Sequence, residues 1–381
     1  VSRSYLDHAS TSPLRPAARD AMVAALHAIV GDPGRIHEEG LTARVALEEA
    51  RQQVADLLGA RSREVVFTSG ATESITAAVW GAAARSGDGR RHQVVTAVEH
   101  SAVRLAAERA GEVTVVAVDR DGRATADDVL AAIRPDTVAV HVQWGNHEVG
   151  TIQPVADVVT GCRERKVLVH VDAAQAAGRV PIAFDALGAD LLSISGHKLG
   201  GPAGTGVLLV RRGLRLAPLL LGGDQERARR AGLEPVAALV GLGAACAELG
   251  GSLDREAVDA ERRTDRIRSI ANAIDGVTVY GDLHHRLPHL VCLGIEGIEP
   301  QAVLLGLDRA GIAAHSGSAC STESLEPSPV LEAMGVDAHR SLRLSVGWST
   351  TDADVDQLAA VLPTIIAELR ALGAGGGQRS S

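Results

Sequence analysis

Residues 191–206 read LLSISGHKLGGPAGTG. The apolar run 191–195 has the look of a buried strand. It ends in Ser195 and Gly196, so His197 and Lys198 stand at its carboxyl end, where open α/β sheets place their ligands. A lysine partly withdrawn from water there has a lowered pKa and can form a Schiff base with an aldehyde. An isolated lysine would read as a surface residue in a turn. The Ser-x-His-Lys context followed by glycines favours the chemical reading.

Outward from this stretch, apolar runs alternate with helical stretches. Strands are expected at 65–68, 93–97, 113–118, 138–142, 167–171, 191–195 and 207–210. Most are continuous Val/Ile/Leu runs, as in strands buried on both faces. Helices are expected at 43–58, 74–84, 126–133 and 155–165. The pattern is mostly βαβ, which makes the class α/β with a largely parallel seven-stranded sheet. After residue 250 the texture changes to a charged helix at 254–273, short strands at 277–280, 289–293 and 341–346, and a last helix at 352–372. A large domain over 15–250 is therefore expected, with a smaller α+β domain from 1–14 and 251–372. The Gly-rich residues 373–381 read as a disordered tail.

Four further segments carry candidate chemistry. In "VLVHVDAAQAAG", Asp172 ends an apolar strand and Gln175 follows three residues later; a carboxylate there can keep a pyridine nitrogen protonated. A helix-capping Asp is the plainer reading. In "FTSGATES", Gly70, Ala71 and Thr72 precede a helix, and free N–H groups at a helix start bind anions. Ser195 and His197 could complete that cup. In "VEHSAV", His100 follows a strand and could stack on a ring or carry protons. In "HSGSACSTESLEPS", Cys320 lies among small residues, as in a loop that presents a nucleophilic thiolate. Finally, Arg343 sits mid-strand in "SLRLSVG", where a bidentate grip on a carboxylate would explain it and an edge-strand arginine facing water is the alternative.

Composition narrows the class. A formal charge of -9 argues against a nucleic-acid footprint. No apolar run approaches the roughly 18 residues of a membrane helix, and a soluble, cytoplasmic protein is expected. The other cysteines, Cys162, Cys246 and Cys292, read as small buried hydrophobes, and no metal-binding spacing is present.

In this order, "YLDHASTSPLRP", "TSGATE", "VDAAQ", "SISGHK" and "SGSACS…SLEPS…AMG" resemble the cysteine desulfurases of the class V aminotransferase group, enzymes of pyridoxal-phosphate (PLP) fold type I. The resemblance runs from Tyr5 to the last helix, and the Cys320 segment is similar to the bacterial iron–sulfur type. It implies that Lys198 holds PLP covalently, with Asp172 at the pyridine nitrogen, Gln175 at the ring hydroxyl, His100 stacked on the ring and Asn146 among the cofactor-binding residues. Ala71, Thr72, Ser195 and His197 would hold the phosphate, and Arg343 with His147 would meet the substrate. Cys320 would attack the sulfur of bound L-cysteine, giving L-alanine and an enzyme persulfide that passes to an acceptor protein or small-molecule pathway. A homodimer is implied, with "GGDQERARRAG" near its interface.

The chain departs from the family pattern at four places. His147 stands for the second Asn of Asn-Asn-Glu, Leu233 for a Thr, "GDPGRIH" (31–37) for "GNPSSxH", and Trp348 for an Arg. Each swap removes or changes a polar contact, which suggests re-tuned binding and a sulfur donor specialised for one pathway. Other class V reactions (selenocysteine lyase, transaminase, epimerase) and a non-catalytic relative are the alternatives.

Overall fold

The structure, a computed structural model, describes residues 3–85, 91–316 and 327–376. Seven strands form the large sheet: β1 (Val65–Thr68), β2 (His92–Thr96), β3 (Val113–Val116), β4 (Thr137–Gln143), β5 (Leu168–Asp172), β6 (Leu191–Ser195) and β7 (Gly206–Val210). Their spatial order is β1-β7-β6-β5-β4-β2-β3. β7 is antiparallel to both neighbours, and the other pairings are parallel. Every residue of β1, β2, β4, β6 and β7 is buried. Burial on both faces is why these strands are rich in apolar residues without a regular polar–apolar alternation.

Helices cover the sheet: α1 (Pro16–Ala28), α2 (Glu38–Leu57), α3 (Ala71–Arg85), α4 (Ser101–Ala110) and α5 (Val236–Gly250) among them. α2 begins five residues before its expected start, because His37 caps it by accepting from Gly40 N at 3.2 Å and Glu38 and Glu39 favour the first turn. α1, α4 and α5 were not expected. α5 is apolar on nearly every side because it packs against both α1 and α2, so it shows no single stripe.

The C-terminal part holds α6 (Leu253–Asn272), the antiparallel sheet β8 (Val277–Tyr280), β9 (Leu290–Ile295) and β10 (Ser341–Ser345) in the order β10-β9-β8, and α7 (Asp352–Gly376). α7 continues through Gly376, four residues into the stretch 373–381 expected to form a tail. Residues 377–381 lie outside the described residues. Leu6 joins the apolar core of this part, with Ile267, Val291, Leu342 and Ile366. The strand Ser4–Tyr5 pairs with Ile312–Ala313, and Asp7 then bridges to Ser345. This carries the following residues past β10 toward the large sheet. Among the described residues, no single helix is long and apolar enough to cross a membrane.

Candidate active site

The parallel direction of β1, β2, β4, β5 and β6 brings five carboxyl ends to one edge. The segments that leave them carry most of the predicted residues, Arg343 joins from β10, and together they line one cavity of about 500 Å³. Ala71, Thr72, His100, His147, Asp172 and Gln175 are there. So are Ser195, His197, Lys198 and Arg343.

The anion cup forms where β1 turns into α3. Ser74 N is the first of the helix to find a carbonyl, Gly70 O at 3.1 Å, so the N–H groups of Ala71, Thr72 and Glu73 have no intrahelical partner. Glu73 would repel an anion there, but Arg230 pairs with it at 3.0 Å. The turn sits directly on β7. A Cβ at Gly206 would stand 2.5 Å from Gly70 Cα. Gly206→Ala must therefore push the cup off the sheet. Overpacking of this kind costs about 1–3 kcal/mol, so cofactor retention should weaken roughly tenfold or more. Titration of the apoprotein with PLP, followed by visible absorbance, checks this; unchanged affinity would refute the close-packing account.

Lys198 stands on a short 3₁₀ turn after β6 that is clamped from outside the strand. Ser12 N donates to His197 O at 3.0 Å, Arg179 Nη2 to Lys198 O at 3.2 Å, and Arg15 Nε to Leu199 O at 2.9 Å. Arg15 is fully buried and bonded to Glu248 and Glu256, which ties the turn to α5 and α6. The half-buried lysine is pushed down to about 8, by burial first and by Arg343, while Asp172 and Asp7 oppose the shift. Nothing in the sequence signals this clamp, because Arg15, Arg179 and Lys198 are far apart along the chain.

Asp172 is buried at the end of β5, and its Oδ1 accepts from Ala174 N at 2.9 Å. Turns rather than a regular helix follow it, and the Ala174 bond is the cap-type contact of the plainer reading. Burial raises its pKa, opposed by the Ala174 N–H, Lys198 and His147. Gln175 spends Nε2 on Ala9 O at 2.9 Å, and its Oε1 lies 3.3 Å from His289 Nε2. His197 Nδ1 is 3.2 Å from Thr11 Oγ1.

His100 caps α4, its Nδ1 accepting from Ala102 N at 3.1 Å. His147 meets it edge-on, with ring centroids 5.2 Å apart. Arg343 is buried, not an edge arginine facing water: it donates to His147 O at 2.9 Å, Asp7 Oδ1 at 3.1 Å and Ser10 Oγ at 2.6 Å. Nε of Arg343 is buried without a hydrogen-bond partner.

Asn146 is a correction. It does not line the cavity. Its amide is spent on the backbone, donating to Val98 O at 3.2 Å and accepting from Glu148 N and Val149 N at 2.8 and 2.9 Å. Its role is to shape the loop that presents His147. Trp348 also lies off the cavity; it donates to Pro13 O at 2.9 Å and lies under Arg15. Leu233 is exposed.

The sequence reading missed Glu99. Its Oε1 accepts from Thr96 Oγ1 at 2.7 Å and Gln143 N at 2.9 Å, behind His100. Burial, with Asp172 adding to it, pushes the carboxyl up to about 8, so it is a neutral acid at pH 7. An unfolded Glu titrates near 4.3. Between these values the folded state binds the extra proton, so stability is full below the lower value, falls as pH rises through the window, and levels off above about 8. By pH 7 this loss is about 3 kcal/mol. Glu99→Gln should flatten that slope in denaturant titrations at several pH values; an unchanged slope would show that Glu99 is ionised.

Cys320 lies outside the described residues. The described residues on either side of its segment are attached at the site. His315 lines the cavity and bridges to Arg343, with Arg343 N donating to His315 O at 2.7 Å. Ser328 Oγ donates to Glu148 Oε2 at 2.5 Å. The other three cysteines are buried, and burial pushes Cys162 and Cys246 up to about 12 and Cys292 well above the usual range.

Known proteins share this fold and much of this sequence. Residues 4–358 match the family model described as aminotransferase class-V. A cysteine desulfurase IscS of Dictyoglomus turgidum is 40% identical over 379 residues, covering 97% of this chain and 95% of that protein. A solved NifS-like protein superposes with a TM-score of 0.90 at 30% identity, covering 96% of this chain and all of the other. A structure titled SspA in complex with cysteine superposes with a TM-score of 0.80 at 30% identity, covering 91% of this chain and 100% of the other.

Proposed function

The chain belongs to the class-V aminotransferase family and is a PLP-dependent cysteine desulfurase, and on that premise we propose how its own residues bind the cofactor, take L-cysteine and carry its sulfur away. The observation that carries the proposal is the pairing of Lys198 and Asp172 in one cavity beside a helix N-terminus.

The residues fit PLP by their chemistry. Lys198 offers an amine whose neutral form is accessible near neutral pH, because its pKa is about 8. A buried carboxylate such as Asp172 is costly unless matched, and a protonated pyridine nitrogen is its natural counter-charge. The start of α3 suits a phosphate. When bound, PLP supplies an electron sink for bonds broken next to the amino-acid carbon.

Arg343 would orient L-cysteine by its carboxylate, and its unpartnered buried Nε fits that duty. The relative solved with cysteine supports this substrate. His100, with Nδ1 committed to its cap, would hold its proton on Nε2 and present it to the cavity contents. The Cys320 thiolate would form a bond to the substrate sulfur as the carbon–sulfur bond breaks, and a proton would complete the methyl group of L-alanine. The sulfur would leave as a persulfide for an acceptor.

A homodimer is part of the proposal. Val30, Ile36, Leu41 and Val45, close together in sequence, and Leu233 are apolar and exposed, and a partner subunit would cover such residues. The test is stoichiometric. On rapid mixing with L-cysteine, holoenzyme should release a burst of about one L-alanine per Cys320 and then slow to the rate at which free thiol discharges the persulfide, a rate that added dithiothreitol should raise. Alanine release with no burst and no response to added thiol would contradict persulfide storage. Relatives named cysteine desulfurase at about 40% identity do not favour the other class V reactions.

A further inference from the structure

Two imidazoles meet in the cavity, and they are not equivalent. His100 has committed its Nδ1 lone pair to Ala102 N–H at 3.1 Å. Protonating that nitrogen would break the cap and set a cation against the positive end of α4. Burial first, then His147, Lys198 and Arg104, hold His100 down at about 3. It can donate a proton from Nε2 but has no lone pair to accept one.

His147 is built the other way. Its side chain is only 8% exposed, and its Nε2 lies 3.5 Å from Glu148 Oε1. Its Nδ1 is buried with no hydrogen-bond partner. The tautomer that suits both facts carries the proton on Nε2, toward the carboxylate, and a bare lone pair on Nδ1. A carboxylate behind an imidazole fixes the tautomer and stabilises the imidazolium. Glu148 is itself held, by the Ser328 hydroxyl at 2.5 Å and through its own N–H to Asn146 Oδ1 at 2.8 Å.

We propose that His147 takes the proton that the ammonium group of L-cysteine must lose before its nitrogen can react. The inference rests on the desulfurase reading. Arg343 donates to the carbonyl oxygen of His147 itself at 2.9 Å. Both residues line the same cavity, so a carboxylate at Arg343 can set the amino group, one carbon away, on the His147 side. One N–H bond of the ammonium breaks, one N–H bond forms at Nδ1, and the electron pair stays on the substrate nitrogen. The charged ring then faces Glu148, with Asp172 adding favourable charge. Arg343 opposes from β10, and His100 from α4 and Lys198 from the β6 turn share the cavity as further basic groups.

The test uses holoenzyme of wild type, His147→Asn and His100→Asn, each checked for the visible cofactor band. Alanine release is measured against pH, and histidine side-chain ¹⁵N signals are recorded with and without L-alanine, a product that carries the same ammonium. His147→Asn should keep the band, lose about a hundredfold or more in kcat/KM, and lose the acidic limb of its pH profile. His100→Asn should keep that limb. The wild-type spectrum should hold an Nε2–H histidine, absent in His147→Asn, that becomes doubly protonated when L-alanine binds. A His147→Asn enzyme within twofold of wild type with its limb intact overturns the proposal, and so does an Nδ1–H tautomer in the resting enzyme. A wild type that makes no alanine from cysteine would instead sink the desulfurase reading, and the ¹⁵N response to L-alanine would still decide the role of His147.

Discussion

Lys198→Ala is expected to abolish the visible cofactor band and to cut alanine production by about four orders of magnitude or more. The argument starts from place. Lys198 lies at the carboxyl end of β6, on a turn that Ser12, Arg15 and Arg179 hold by its carbonyls. Those bonds use backbone oxygens, so the alanine variant keeps the clamp and loses only the amine. Stability should not confuse the result. A lysine pushed down to about 8 binds fewer protons folded than unfolded. Its burial therefore disfavours folding below about pH 8, and the penalty fades as pH rises through the unfolded value near 10.4. The variant apoprotein should accordingly melt no lower than wild type at pH 7. The same pKa sets the rate at which wild-type apoprotein captures PLP. That rate should rise with pH up to about 8 and then level off, as the neutral amine becomes the dominant form. A variant that retained the band and turned over would place the reactive amine elsewhere.

Cys320→Ser is the second large effect. The band and L-cysteine binding should survive, while alanine production falls by about three orders of magnitude or more. A hydroxyl is scarcely ionised at neutral pH, whereas a thiolate is the nucleophile this step requires. No other described thiol can stand in. Cys162, Cys246 and Cys292 are buried with raised pKa values. In the sequence Cys320 is four residues past Ser316. His315, the residue before Ser316, lines the cavity. Full turnover in the serine variant would end the persulfide proposal.

Much of this was legible in the sequence because burial writes itself into composition. β4, β6 and β7 are buried along their whole length, and a stretch dominated by Val, Ile and Leu is the signature of that state. Lys198, Asp172 and His100 were legible because each stands just after such a run. α5 was not, since packing on several sides erases the stripe that marks an amphipathic helix. Asn146 was misjudged because its neighbour His147 does the facing; an asparagine whose carbonyl takes two backbone N–H groups has little left for a ligand. Arg15 and Arg179 were invisible for a different reason. Their meaning lies in carbonyls of residues 198 and 199, and no local pattern encodes a contact across 19 or 184 positions.

The most direct test of the whole account is a single turnover of wild-type holoenzyme with L-cysteine, followed by alkylation, digestion and mass analysis of the peptides. The account predicts one added sulfur atom on the peptide that contains Cys320, one L-alanine released for each, and no added sulfur on the peptides of Cys162, Cys246 or Cys292. Alanine released with Cys320 unmodified, or sulfur found on another cysteine, would contradict it.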